Sequence, residues 1–325
     1  MEPGRRLDRR SALRGLAALA ALPVLPALSA CGSDFAGRRL SIAAGVASGV
    51  YFRLAGTLAE VWREHLGLGA APTVLPTAGS VDNLDRLAGG TADVAFSQVD
   101  TAAERLAALA PGDPRAPRAL ARIYDDALHV VVRRGSPVRG VADLRGRAVS
   151  IGPPTSGYYA VARRLLESAG LDPDRDVDAR GLGLTESTEA LRAGVIEAFF
   201  WFGGLPTAGV SELAASTPIR LLDLTDVLEA VRARYPAYSS GTVPASAYDI
   251  GEPVATLFVR NLLLVPAALD DDLAGALVGT IFAEQPRLAT TSPAALTIDA
   301  RAAIGTQPVP LHPGAERFYR EAKGA

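Results

Sequence analysis

Leu40-Ser41-Ile42-Ala43-Ala44-Gly45-Val46-Ala47-Ser48-Gly49-Val50-Tyr51 and Ala148-Val149-Ser150-Ile151-Gly152-Pro153-Pro154-Thr155-Ser156-Gly157-Tyr158-Tyr159 follow one plan, written twice. Each begins with a short apolar run, as a strand does, and breaks into a glycine-containing loop. Val50, Leu54, Leu58 and Val61 then recur at helical spacing after the first loop, and Val161, Leu165 and Leu166 mark a helix after the second. Aligned on Ser-Gly-x-Tyr, Ser48 matches Ser156, Gly49 matches Gly157 and Tyr51 matches Tyr159.

The parallel continues downstream. Val74-Leu75-Pro76 leads through Thr77-Ala78-Gly79-Ser80 into a short helix, with a strand over 91–97. Thr185-Glu186-Ser187-Thr188 opens a helix followed by a strand over 195–202. Both strand entries read Gly-x-x-acid-x-x-Phe: Gly90, Asp93, Phe96 and Gly194, Glu197, Phe200. Alternating strands and helices predict an α/β fold with a mostly parallel sheet, and two similar halves predict two lobes. Residues 127–133 read as a strand crossing between them, and 254–265 as the return. The expected division is lobe I over 40–128 and 252–325, and lobe II over 129–251. Ligands in open α/β sheets sit beyond the carboxyl ends of the strands, which places the Ser-Gly loops at a cleft between the lobes.

The loops suggest a chemistry. Helix starts offer unpaired N–H groups and the positive end of the dipole, glycine admits close approach, and hydroxyls donate as well as accept. Ser48, Ser80, Ser156 and Thr185 all fall at expected helix starts. Each alone is explained by N-capping, and Ser80 most readily. Together they suit a small anion held by neutral donors, with Arg53 either assisting or solvated. Tyr158 and Trp201 are expected at the pocket wall, and Phe200 and Phe202 in the core.

Ahead of this body lies a leader. Arg5, Arg6, Arg9, Arg10 and Arg14 precede an apolar stretch over 15–30 that is too short to span a bilayer and is broken by Pro23 and Pro26. That is the pattern of a signal peptide over 1–30. Leu28-Ser29-Ala30-Cys31-Gly32 resembles a bacterial lipobox, so Cys31 is the expected lipidation site, with a tether over 31–39 and anchorage on the outer face of the cytoplasmic membrane. Asp8-Arg9-Arg10-Ser11-Ala12-Leu13-Arg14 also resembles a twin-arginine signal, so the export route stays open between that and Sec.

Setting the leader aside turns a net charge of −2 into −5, which argues against a nucleic-acid partner. With its single cysteine assigned to lipid, the chain has no disulfide framework and no thiolate metal site. His65, His129 and His312 are far apart in sequence, Lys323 is the only lysine, and no nucleophile elbow, phosphate loop or metalloprotease motif is present. No enzyme activity, cofactor or metal is expected.

The ordered motifs resemble the TAXI solute-binding proteins of TRAP transporters from about Leu40 to the C-terminus. The matching pieces are Ser48-Gly49-Val50-Tyr51, Thr77 to Leu84, Gly90 to Asp100, His129 to Arg133, Asp143 to Arg147, Thr155-Ser156-Gly157, Glu197 to Phe200, and Leu311-His312-Pro313-Gly314-Ala315-Glu316-Arg317-Phe318-Tyr319. The resemblance implies a two-lobed periplasmic-binding-protein fold of the second type. It also implies a monomeric receptor that closes on glutamate or a dicarboxylate such as 2-oxoglutarate and delivers it to a TRAP permease. Carried over position by position, it assigns ligand contacts to Ser48, Gly49, Tyr51, Thr77, Gly79, Ser80, Asn83, Gln98, Ser156 and Gly157, and a structural role to His312. A receptor for an ABC importer, a membrane sensor and a secreted hydrolase are the alternatives.

Overall fold

The computed structural model describes residues 35–324. The leader and Cys31 lie outside the described residues. Of the expected tether, Phe35 packs against the core and the Gly69 N–H donates to the Ala36 carbonyl at 3.2 Å.

The first half runs β1 (Ser41–Gly45), α1 (Val50–Leu66), β2 (Thr73–Pro76), α2 (Ser80–Ala88), β3 (Val94–Gln98), α3 (Val99–Ala107) and the long β4 (Pro117–Arg133). The second half runs β5 (Ala148–Ser150), α4 (Gly157–Ser168), β6 (Asp178–Arg180), α5 (Leu184–Ala193), β7 (Ala198–Gly203), α6 (Ala208–Ser216), β8 (Ile219–Leu221), α7 (Thr225–Arg234) and β9 (Tyr238–Val243). The chain then returns through β10 (Val254–Pro266) and closes with α8 (Asp271–Ala283), α9 (Gln285–Thr291), α10 (Ala300–Ala303) and α11 (Pro313–Gly324).

The strands pair in the order β2-β1-β3-β10-β4-β7-β5-β6, with β8 on β4 and β9 on β10. Outer strands are parallel within each half, while β10 and β4 are antiparallel to their neighbours. This is a two-lobed α/β fold, each lobe built on its own parallel strands. β4 and β10 belong to both, and β4 runs unbroken through the expected boundary at 128–129.

The repeated Gly-x-x-acid signature has a backbone cause. Gly90 and Gly194 have φ of 69° and 74°, a left-handed conformation that frees the chain from its helix and that side chains resist. Three residues on, the Asp93 N–H donates to the Ser41 carbonyl and the Glu197 N–H to the Ala148 carbonyl, at 3.0 and 2.8 Å. Each acid therefore starts its strand against the first residue of the neighbouring one. Phe96 and Phe200 follow into the two apolar cores.

Candidate functional site

A cavity with about 60 Å³ of free space lies where the carboxyl ends of β1, β3 and β7 meet the starts of α1, α2 and α4. At roughly 10–15 Å³ per water, that is room for several waters or a small solute. Gly49, Tyr51, Gly79, Ser80, Gln98, Ser156, Gly157, Tyr158 and Trp201, all expected from sequence, line it.

The lobes touch at this point. A Cβ placed on Gly157 would stand 2.4 Å from Gln98 Oε1 and 2.9 Å from Ser80 Oγ. The Asp82 N–H donates to the Thr155 carbonyl at 3.3 Å. Farther out, Arg164 of α4 pairs with the buried Asp100 of α3 at 2.8 Å, and Tyr238 of β9 donates to the same carboxylate oxygen at 2.6 Å. The Arg164 guanidinium also lies over the Tyr235 ring, 4.7 Å from its centroid.

Several expected residues do other work. Ser48 is exposed and lines a separate outer pocket with Arg53 and Thr185, so none of the three reaches the cavity. The sequence alignment is one residue out of register with the helices. Gly49 is the N-cap of α1, whereas Ser156 is the N-cap of α4, its Oγ accepting from the Tyr159 N–H at 3.3 Å. Cap aligned with cap, Tyr51 matches Tyr158, and both line the cavity, while Tyr159 does not.

Thr77 and Asn83 are buried behind the wall. Thr77 Oγ1 donates to Asn83 Oδ1 and accepts from the Gly79 N–H, and Asn83 Nδ2 donates to the Phe96 carbonyl at 2.8 Å. They hold the loop in which Gly79, at φ 130°, passes against Ser156. Ser80 does not cap its own helix. Its Oγ accepts from the Gln98 N–H at 3.1 Å, tying α2 to the end of β3. Phe202, expected in the core, also lines the cavity.

Of the floor, sequence reading named only Gln98. Gln98 of β3, Asn261 of β10 and Tyr124 of β4 lie in register across three strands, and the β10–β4 pairing slips just after Asn261, the kind of irregularity that re-aims side chains. Tyr51 donates its hydroxyl to Asn261 Oδ1, and its ring stacks on Phe96 with centroids 5.0 Å apart. Two residues beyond Tyr124, Asp126 lines the cavity while only 4% exposed. Burial pushes its carboxyl up to about 7, against the opposing pull of the polar groups of Asn261, Gln98 and Tyr124. The same burial, with Asp126 nearby, raises Tyr51 well above the usual phenol range.

Neither buried histidine lines the cavity or hydrogen-bonds a serine. His129 bridges the Ala127 carbonyl and the Tyr248 hydroxyl at 2.9 and 2.8 Å, and burial pushes it down to about 4. His312 accepts from the Gly314 N–H at 3.2 Å and is lowered by burial.

Two α/β lobes with a cavity at the strand ends between them make the periplasmic-binding-protein fold. The chain belongs to the NMT1-like family, whose model matches residues 42–323. Its fold resembles the periplasmic aliphatic sulphonate binding protein SsuA from Escherichia coli (15% identity over 87% of this chain and 83% of that one, TM-score 0.50). It also resembles a protein of Bordetella bronchiseptica RB50 (24% identity over 88% of each chain, TM-score 0.50).

Proposed function

We propose that this protein is an exported, non-catalytic receptor that closes its lobes around a small solute bearing an acid group and presents it to a membrane importer. The observation that carries the reading is the convergence of the starts of α1, α2 and α4 on one cavity, with Ser156 and Gly157 of one lobe set against Ser80 and Gln98 of the other. Their first-turn N–H groups suit an anionic oxygen. A hydrogen bond to a charged group contributes roughly 1.5–3 kcal/mol, and micromolar binding needs about 8 kcal/mol, so a few such bonds in a closed cavity are sufficient.

An ABC importer is the better-supported partner class, because the fold likeness reaches a periplasmic sulphonate binder. A TRAP permease rests on the ordered motifs alone. An ATPase gene or a TRAP permease gene beside this one separates the two. Lipid on Cys31 keeps the receptor at the membrane, and a Cys31→Ser variant should leave the membrane fraction while binding normally. The receptor reading itself is tested by mass spectrometry of small molecules released from the purified protein on denaturation, together with a thermal-shift panel of small acids. It fails if no compound is released and none raises the melting temperature.

A further inference from the structure

The cavity carries charge of one sign only. Among the described residues Asp126 lines it and no arginine, lysine or histidine does; Arg53, in the outer pocket, acts on Tyr124 from outside the lining. Asp126 is 4% exposed and Gln98 3%. Asp126 Oδ1 and Gln98 Oε1 are buried without a hydrogen-bond partner, and so is one donor of the same floor, Asn261 Nδ2, whose polar group acts on the Asp126 carboxyl. Buried polar atoms are nearly always paired; with two acceptors against the single donor of Asn261, the cluster is one donor short, and a donor carried by the ligand completes it. The rings of Tyr51, Tyr124, Tyr158 and Trp201 line the same space, and aromatic faces attract an ammonium group. The starts of α1, α2 and α4 have the opposite character: their positive dipole ends meet the cavity, and no side chain caps α1 or α2.

Resting on the receptor reading above, we infer that the ligand is a small zwitterion of the amino-acid or betaine type, with one acid group at the helix starts and one ammonium against Asp126 and Gln98. A dicarboxylate meets this cavity with a second negative charge. That charge would face Asp126 with no cationic side chain in the lining to offset it, and like charges at that range oppose each other's ionisation. Glutamate suffers the same conflict.

The test uses the exported chain and isothermal titration at pH 8, where Asp126 is ionised. L-alanine, L-proline and glycine betaine form the zwitterion arm. Propionate and succinate form the acid arm, and tetramethylammonium is the cation-only probe. Zwitterions should bind, with propionate, succinate and tetramethylammonium at least about tenfold weaker, the equivalent of one good charged contact. Asp126→Asn, similar in shape and neutral, should shrink the preference for zwitterions over acids while keeping the circular dichroism of the parent. Propionate or succinate binding as tightly as the zwitterions overturns this inference and leaves the receptor reading standing. An unchanged preference in a folded Asp126→Asn variant also overturns it. Binding by none of the probes overturns both.

Discussion

The two halves of the molecule repeat a backbone and not a chemistry. Each runs strand, glycine loop, helix, and each sets a left-handed glycine three residues before an acid whose N–H starts the next strand. Around the cavity the likeness is partial, kept in the helix starts and in the cap-matched Tyr51 and Tyr158 and lost in the polar groups. The first half contributes Gln98 and Asp126, whose oxygens wait for a donor, while the second contributes Ser156, Gly157 and the aromatic pair Tyr158 and Trp201, whose centroids are 5.1 Å apart. A shared scaffold thus leaves the side chains of each half free to differ.

The largest expected effect isolates the charged half. Asp126 faces Gln98, Asn261, Tyr124 and Tyr51, with Asp125 beside it in the chain. Its carboxyl is raised from 3.8 to about 7 on folding, so the folded state holds the extra proton. That stabilisation is complete below about pH 4 and is lost as pH climbs through about 7, on the order of 4 kcal/mol in total. Ligand-free Asp126→Asn should therefore gain on the parent in denaturant melts from pH 4.5 to 8. A gap that stays constant over that range contradicts the buried charge.

The next effect breaks the link between the halves. Arg164→Ala leaves Asp100 buried beside Tyr238, and stripping one partner from such a pair costs about 3 kcal/mol or more. The lobes can open and let water reach the carboxylate, so the loss should appear as weaker ligand binding and a larger radius of gyration in solution scattering. Unchanged affinity would remove the pair from closure. At the two helix starts, Gly157→Ala drives a methyl group into Gln98 Oε1 and should weaken binding by about 1–3 kcal/mol. Gly49→Ala meets only Val46, at 3.1 Å, and should cost less. Equal affinities from the two alanines would make the closeness at Gly157 irrelevant. The smallest contrast compares the aligned serines. Ser156→Ala removes a cap and should cost about 1 kcal/mol of stability, while the exposed Ser48→Ala should stay within about 0.5 kcal/mol. Thermal melts of the two variants give the comparison directly.

The fold was legible because its signals have backbone causes. A glycine that must be left-handed and an acid at the head of a strand recur wherever the same turn recurs. The site was only half legible. Cap position depends on where the first helical turn closes, and Ser-Gly-x-Tyr matched residue types one position away from that geometry. Asp126 was hidden by its neighbours. Arg122 and Asp125 interrupt the apolar run, so the strand was read from Ala127 although β4 starts at Pro117. The structure gives those charges a local purpose, with Arg122 Nε and Nη2 donating to the two Asp125 oxygens at 2.9 and 2.6 Å. Asp126 is the member of the acidic pair left without an arginine. An acid inside a strand with no partner at short range was the available clue.

The paired strands β4 and β10 have a mechanical consequence. They lie side by side, hydrogen-bonded from Val265 to Phe258, and carry both lobes. Any turn of one lobe against the other has to pass through this ribbon. Tyr124, Asp126 and Asn261 lie on this ribbon, at the axle, whereas Asp100 and Arg164 meet out along the arms. A ligand that props the axle open by a fraction of an ångström separates the arms by more. On the receptor reading proposed above, the bulk of a solute at the pivot is displayed, amplified, on the rim.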